Sequence, residues 1–237
     1  MPRSLRLILP CIAVHIIQRG NNRAACFRSE SDYLVYLSHL RQLSDKYDCA
    51  VHAYCLMTNH VHLLMTPSGD GACTGLMRDL GQRYVQYFNR EHERTGTLWE
   101  GRFRSCVAES SRYVLACHRY IELNPVRSGM VEHPSGYLWS SHAVNAGIRS
   151  DNFVKPHPDV EALAADPAKR YAAYQNLFVE RLDPLLVQNI RDATNAGYPL
   201  ASDTFKASVL EPLGWKMEPG KPGPRALSPT AIYAVRS

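Results

Sequence analysis

The sequence lacks any long hydrophobic run. None of the apolar stretches in its 237 residues approaches the roughly 20 residues that a membrane-spanning helix needs. Residues 1–10 contain only a short apolar patch with two arginines, and no cleavage site of small residues follows it. We therefore expect no secretion signal. These absences predict a cytoplasmic protein with no membrane partner.

The sequence also lacks any C-x-x-C pair, although it contains seven cysteines. Structural zinc sites and redox-active dithiols commonly use that spacing. An odd number of cysteines without a secretion signal indicates reduced thiols and argues against a disulfide framework. The cysteines therefore suggest no chemistry of their own.

Lysine is scarce in the first part of the chain. Residues 1–149 hold 16 arginines and one lysine against 12 acidic residues, whereas ten basic residues balance ten acidic ones in residues 150–237. Because the arginine fork binds phosphate oxygens well, the excess favours a nucleic-acid partner. An arginine-rich genome would produce the same composition, so charge alone does not decide the partner.

Hydrophobic periodicity predicts alternating strands and helices in the first part of the chain. We expect strands over residues 10–19, 49–57, 60–66 and 98–109, and helices over residues 29–47, 73–94 and 110–124. The order β-α-β-β-α-β-α predicts an α+β fold with a ferredoxin-like antiparallel sheet. Helices would cover one face of that sheet and leave the other face free.

The last part of the chain has a weaker pattern, which predicts a mostly helical C-terminal extension. We expect one helix over residues 168–195 and a short helix within residues 200–214. Residues 220–225, rich in glycine and proline, predict a mobile tail.

Two histidines stand two residues apart in the third predicted strand. Side chains on a strand alternate between faces, so His60, His62 and Leu64 share one face. The opposite face, with Val61, Leu63 and Met65, can pack a core. Two neighbouring imidazoles can begin a divalent-metal site, although an isolated H-x-H is more often a pair of solvated or hydrogen-bonded strand histidines.

Tyr120 and Asn124 lie four residues apart, so they project from one face of the last predicted helix. Tyrosine forms covalent intermediates when a neighbouring group activates it. A divalent cation would neutralise the anionic oxygens of a phosphodiester and align its scissile bond. Two imidazoles and one amide oxygen would suit Mg²⁺ or Mn²⁺, and imidazole favours Mn²⁺.

These motifs together resemble the HUH single-tyrosine transposases of the IS200-like superfamily, and among them the REP-associated tyrosine transposases. The resemblance spans about residues 7–145. It rests on His60-Val-His62 and on Tyr120-Ile-Glu-Leu-Asn124-Pro-Val-Arg127. Further matches are Gln18-Arg-Gly-Asn21, Tyr54-Cys-Leu-Met-Thr-Asn59 and Leu98-Trp-Glu-Gly-Arg-Phe103. It implies a nuclease domain over residues 1–149, with residues 150–237 as an extension.

The resemblance also implies an activity and a role for each site residue. It implies cleavage and rejoining of single-stranded, hairpin-bearing DNA through a 5′-phosphotyrosine intermediate. Tyr120 would be the nucleophile and His60 and His62 the metal ligands. Asn124, where the insertion-sequence enzymes usually have glutamine, would be the third ligand, directly or through a water. The enzyme would act as a monomer or a homodimer.

Several other residues have two interpretations. We expect DNA contacts from Arg19, Arg102, Arg104 and Arg127, with a solvated sheet edge as the alternative for Arg102 and Arg104. We expect Glu122 on the surface or in a salt bridge. His15 and His52 have structural and DNA-contacting interpretations. So do Tyr84, Tyr87 and Trp99, for which core packing is favoured.

Two rival functions remain at the level of sequence. A DNA-binding regulator could retain the same fold without cleaving DNA, and the intact histidine, tyrosine and asparagine motif argues against it. The second is a metal hydrolase acting on small substrates, and the arginine excess argues against it because such an enzyme would not need it.

Overall fold

The computed structural model describes residues 6–215 of the chain. The segment expected to be mobile, residues 220–225, lies outside the described residues. The strands are β1 (Val14–Arg19), β2 (Cys49–Met57), β3 (His60–Pro67) and β4 (Arg104–Val107). The main helices are α1 (Glu30–Lys46), α2 (Ala72–Glu91) and α3 (Ser111–Glu122), followed by short helices α4 (Asn124–Arg127), α5 (His142–Asn145) and α6 (Pro158–Glu161). The extension carries α7 (Pro167–Asn176), α8 (Pro184–Ala196), α9 (Asp203–Phe205) and a π-helical turn (Lys206–Leu210).

The four strands form an antiparallel sheet in the order β2-β3-β1-β4. With the helices α1 and α2 as crossovers, this is the predicted ferredoxin-like arrangement, and the α+β prediction is confirmed. The two-residue link between β2 and β3 makes the expected hairpin, in which Met57 faces His60. Ser29 caps the start of helix α1, where Ser29 and Asp32 form a reciprocal capping box.

Helices α1 and α2 pack on one face of the sheet. Their apolar side chains, among them Tyr36, Leu40 and Leu80, join Val61 and Leu63 in the largest buried cluster. Core packing is confirmed for two aromatic residues that also had a DNA-contacting interpretation. Tyr84 and Trp99 belong to this cluster, and the Tyr84 hydroxyl donates a hydrogen bond to the carbonyl of Cys26.

The second face of the sheet is less open than the sequence suggests. Helices α3 and α8 cover it, and they form a second buried cluster with Ala53, Cys55 and Leu64. The apolar side chains on this face explain the cover, because leaving them in water would cost free energy. The extension therefore contributes directly to the surroundings of the two strand histidines.

Two predicted elements differ in extent from the observed ones. The strand expected over residues 98–109 is only four residues long, since Gly101 takes a positive φ of 109° and turns the chain before β4. The single helix expected over residues 168–195 was wrong. It is two helices separated by residues 177–183. Pro184 stands at the first position of α8, where a proline is tolerated, and Asp183 caps that helix.

A buried carboxylate joins α3 to the segments that follow it. The expectation of a surface position for Glu122 was wrong, because its side chain is fully buried. Its Oε1 accepts hydrogen bonds from Ser141 (2.6 Å) and Asn145 (2.8 Å), and its Oε2 accepts one from the Tyr174 hydroxyl (2.8 Å). Its Oε2 also lies 3.0 Å from Nδ1 of His142, a contact that is the expected salt bridge when that imidazole is protonated. Burial raises the pKa of this carboxyl, but hydrogen bonds and charge from His142 outweigh burial and leave it below its usual value.

The extension also pairs with the edge of the sheet. The backbone N–H of Leu200 donates to the carbonyl of Val107 at 2.8 Å, and that of Glu109 donates to Leu200 at 2.9 Å. Within residues 6–215, no helix is both long and apolar enough to cross a membrane. The division of the chain at residue 149 stays a prediction.

Candidate active site

The two strand histidines lie on the sheet face that α3 and α8 cover. In the β1–β3 ladder, His60 faces Arg19 and His62 faces Ile17. The two imidazole rings are neighbours, with centroids 4.9 Å apart. His62 is buried, whereas His60 at the hairpin is only half-buried. The alternation predicted from the sequence is therefore observed, with Leu64 in the cluster on the same face.

Each histidine has one ring nitrogen engaged in a hydrogen bond. The Nδ1 of His60 lies 2.7 Å from Oδ1 of Asn59, and the Nδ2 of Asn59 donates to the carbonyl of Arg23. The Nδ1 of His62 lies 2.9 Å from Nε2 of His15. Because an amide oxygen only accepts, His60 carries its proton on Nδ1, and its Nε2 retains a lone pair.

Tyr120 comes to the same place from α3. This amphipathic helix buries Val114, Cys117 and Ile121 against the sheet, and the same face carries Tyr120. The Tyr120 ring centroid is 5.6 Å from that of His62 and 5.6 Å from that of His15. A residue 58 positions away in the sequence thus meets the H-x-H motif, as predicted from the two motifs together.

Asn124 follows one turn later, at the start of α4. It is buried, and its Nδ2 donates a long hydrogen bond of 3.5 Å to the carbonyl of Tyr120. That bond leaves the amide oxygen of Asn124 as the group available to an ion. Asn124, His60, His62 and Tyr120 all line one cavity of about 410 Å³.

Burial keeps the histidines of the site neutral. It lowers the pKa of His15 to about 3 and that of His60 to about 4, and it lowers the pKa of His62 well below its usual value. The positive charge of Arg127 lowers all three further. A neutral imidazole is the form that binds metal ions.

The donor set is compatible with a divalent ion. Within residues 6–215, no three His, Cys, Asp or Glu side chains lie together as a metal site. An ion here would therefore depend on two imidazole nitrogens and a neutral oxygen, and Asn124, which lines the same cavity, has such an oxygen in its side-chain amide. Such an incomplete, uncharged set leaves coordination positions for phosphate oxygens and water, and it fits Mn²⁺ better than Ca²⁺.

The arginines expected to contact DNA lie in two groups. Arg19 lines the cavity that contains the histidines. It also lines a neighbouring depression together with Arg102 and Arg104. Arg127 lies against the tyrosine, with its guanidinium carbon 4.4 Å from the Tyr120 ring centroid. It also donates a hydrogen bond of 2.6 Å to the Tyr120 carbonyl.

The sequence analysis missed the contribution of α8. Arg191, Thr194 and Asn195 line the cavity from the extension. The side chain of Asn195 also accepts a hydrogen bond of 2.9 Å from Arg104. No motif marks these residues, and only the docking of α8 against β1 and β4 brings them to the site. His52 is structural, because it bonds to Thr66 and the Lys155 carbonyl.

Comparisons with known proteins give a family match and several structurally similar proteins. Residues 10–124 match the model of the family described as transposase IS200 like. No curated protein matches the sequence. Among solved structures, a REP-associated tyrosine transposase bound to a REP hairpin has a TM-score of 0.53 at 16% identity. That match covers 67% of this chain and 96% of the other.

Two further solved structures show weaker overall similarity. A candidate transposase from Deinococcus radiodurans R1 has a TM-score of 0.34 at 16% identity, covering 55% of this chain and 98% of that one. The tRNA(His) guanylyltransferase of Saccharomyces cerevisiae has a TM-score of 0.33 at 12% identity, covering 56% and 72%. Only the first of the three structures is close enough to share the fold.

Proposed function

Residues 10–124 belong to the IS200-like transposase family, and from this membership we propose a specific activity for the chain. It is a metal-dependent transposase and endonuclease that cleaves and rejoins single-stranded, hairpin-bearing DNA through a 5′-phosphotyrosine intermediate. The similar structure that holds a REP hairpin supports hairpin DNA of that type as the substrate class. The enzyme would act in the cytoplasm as a monomer or a homodimer.

One observation carries this proposal. The ring of Tyr120 lies 5.6 Å from that of His62, on the wall of the cavity that His60 and Asn124 also line. A tyrosine serving only the core would not need two neutral imidazoles and an amide beside it. The combination matches what covalent phosphodiester cleavage needs, which is a nucleophile beside a site for a cation.

The proposed chemistry is transesterification. The Tyr120 Oη attacks the scissile phosphorus and loses its proton to water, and a new O–P bond forms as the bond from phosphorus to the 3′ oxygen breaks. The 3′ oxygen takes up a proton and leaves as a hydroxyl. Because one phosphoester bond replaces another, the reverse reaction rejoins the strand without ATP.

His60 and His62 would hold Mg²⁺ or Mn²⁺ through their Nε2 atoms, with the amide oxygen of Asn124 as the third protein ligand or as the partner of a bound water. A bound divalent ion neutralises phosphate charge and orients the scissile bond. Arg127 would add positive charge beside Tyr120, at the position that an attacked phosphate must approach.

Replacing either histidine should remove metal-dependent cutting. In His60→Ala and His62→Ala, we expect affinity for Mn²⁺ to fall by more than the roughly 10- to 100-fold that outer partners of metal ligands contribute. Titration calorimetry with Mn²⁺, together with cleavage assays, measures both effects. His39→Ala is the matched control, because His39 lies on α1 across the sheet. Full metal-dependent cutting by either site variant would remove that histidine as a ligand.

The arginines beside the cavity should carry DNA affinity. For Arg102→Ala and Arg104→Ala, we expect weaker binding and a salt dependence whose slope falls by about one for each lost phosphate contact. Fluorescence anisotropy of a labelled single strand at several salt concentrations gives the slope. The control is Arg90→Ala, an exposed arginine on α2. If Arg90→Ala weakened binding as much as the other two, the effect would be one of net charge.

The experiment that tests the function mixes the full chain with labelled hairpin DNA and Mn²⁺. The DNA should include single-stranded flanks taken from the neighbourhood of the gene. A protein–DNA adduct that survives a denaturing gel is the expected result. Tight, salt-dependent binding without any adduct on a panel of such hairpins would favour the DNA-binding regulator instead.

A further inference from the structure

Helix α8 brings one buried hydroxyl to the candidate active site. Thr194 is almost completely buried, and its Oγ1 lies 2.8 Å from Nδ1 of His15. His15 in turn contacts His62, so a chain of polar contacts runs from the extension to a proposed metal ligand. Thr194 belongs to none of the sequence motifs. The role inferred for it rests on the proposed metal-binding role of His62.

The direction of the hydrogen bonds in this chain is determined at its Thr194 end. The single hydroxyl proton of Thr194 is donated to the carbonyl of Ile190, one turn earlier in α8, at 2.7 Å. The oxygen of Thr194 can then only accept from its other neighbours. It therefore accepts from the Nδ1–H of His15, and also from the thiol of Cys106 at 3.1 Å.

The same logic continues through the two imidazoles. A neutral imidazole has one N–H, so His15, with its proton on Nδ1, presents a lone pair at Nε2. That nitrogen accepts the Nδ1–H of His62 across 2.9 Å. His62 is thereby left with a lone pair on Nε2, which is the form of the ring that can bind a metal through that atom.

We propose that Thr194 is a positioning residue for the metal site, and that it acts through His15 to hold His62 in the Nδ1–H tautomer. By this contact, α8 of the extension is a part of the active site. The reversed chain of hydrogen bonds is disfavoured, because it would leave the Ile190 carbonyl without the Thr194 hydroxyl. It would also place the proton of His62 on Nε2.

His60 provides an internal reference for this proposal. Its Nδ1 bonds to Asn59 at the β2–β3 hairpin, so the tautomer of His60 does not depend on α8. A change in Thr194 should therefore alter His62 and leave His60 as it was. A general loss of structure would alter both rings.

Long-range ¹H–¹⁵N correlation NMR of the metal-free full chain at neutral pH distinguishes the two imidazole tautomers. In the wild-type protein, we expect the Nδ1–H form at both His60 and His62. Thr194→Val keeps the shape of the side chain but removes the hydroxyl. We expect this variant to populate the Nε2–H form at His62 and to bind Mn²⁺ about 10- to 100-fold more weakly, the range typical of outer partners of metal ligands.

Thr194→Ser is the matched control, because it restores a hydroxyl at the same position. It should return the His62 tautomer and bring Mn²⁺ affinity to within about threefold of the wild type, well inside the range given for losing such a partner. An unchanged His62 tautomer and unchanged Mn²⁺ affinity in Thr194→Val would overturn the proposal. So would the Nε2–H form at His62 in the wild type, a result that needs no variant to fold.

The outcome also separates this inference from the proposed function. If the tautomer of His62 responds to Thr194 while the wild-type protein binds no Mn²⁺, the hydrogen-bond chain is upheld and the proposed metal site fails. If Mn²⁺ binds and DNA is cleaved while the tautomer of His62 is the same in the Thr194 variants, the proposed function stands and the positioning role of Thr194 is refuted.

Discussion

The Tyr120→Phe protein should form no covalent adduct with hairpin DNA, yet it should bind the same DNA as tightly as the wild type does. We expect cleavage to fall by about four orders of magnitude or more, the scale seen when an enzyme loses its nucleophile. The loss should be complete for the adduct, because no O–P bond can form without the phenolic oxygen. Denaturing gels for the adduct and fluorescence anisotropy for binding measure the two effects separately.

The structure explains why this substitution should leave the fold intact. The contacts of Tyr120 with its neighbours involve the ring, which phenylalanine retains. The His15 and His62 rings lie steeply inclined to it, with centroids 5.6 Å away, and the Arg127 guanidinium lies over it. The hydrogen bond from Arg127 goes to the backbone carbonyl, which the substitution does not change.

Tyr113→Phe is the matched control for this prediction. Tyr113 lies on the same helix, two turns earlier, and packs against the same cluster. It should form the adduct at the wild-type rate. An adduct that persists in Tyr120→Phe would mean that another residue attacks the phosphodiester, and the proposed mechanism would then be wrong.

The histidines of β3 and the tyrosine of α3 illustrate what the sequence could predict. The alternation of side chains is a local property of a strand, so the shared face of His60, His62 and Leu64 followed from their spacing. The start of helix α1 is also a local feature, because the capping box that the structure shows at Ser29 lies within four residues. The meeting of Tyr120 with the histidines was predicted only because two motifs together resembled one family.

The contribution of α8 could not be predicted in this way. The contact between His15 and Thr194 joins residues 179 positions apart, and no pattern near Thr194 marks it. The sequence pattern in this region also suggested one continuous helix, whereas residues 177–183 separate two helices and Asp183 caps the second one. Which surface a helix covers depends on the whole packed structure, and an apolar stripe only shows that some surface is covered.

Glu122 shows a different limit of sequence reasoning. A glutamate in an amphipathic helix is expected in water, because burying an isolated carboxylate is costly. Here three side chains from beyond α3 donate to it, from Ser141, Asn145 and Tyr174, and His142 pairs with it. Each of these partners follows Glu122 by 19 to 52 residues, so the compensation is visible only in the folded chain.

Glu122→Ala should therefore be one of the most destabilising substitutions in the described chain. It removes the acceptor that four buried polar groups share and leaves a space where the carboxylate was. Ser141, Asn145 and Tyr174 each keep a second hydrogen-bond partner, whereas the Nδ1 of His142 loses its acceptor. We expect the free energy of unfolding to fall by about 3–5 kcal/mol, as when one partner of a buried ion pair is removed. For a chain of this size, the melting temperature would fall by on the order of 10 °C. Urea unfolding followed by circular dichroism measures the loss.

Glu122→Gln separates the charge from the hydrogen bonds. The amide oxygen can still accept from Ser141 and Asn145, and the hydroxyl of Tyr174 can turn to accept from the amide and donate to His118, whose Nδ1 is 3.1 Å away. We expect this variant to lose only about 1–2 kcal/mol, since most buried donors keep a partner. If glutamine were as harmful as alanine, the charge paired with His142 would be the stabilising element. If Glu122→Ala lowered the free energy of unfolding by less than about 1 kcal/mol, the contacts of Glu122 would not be what holds the later segments against α3.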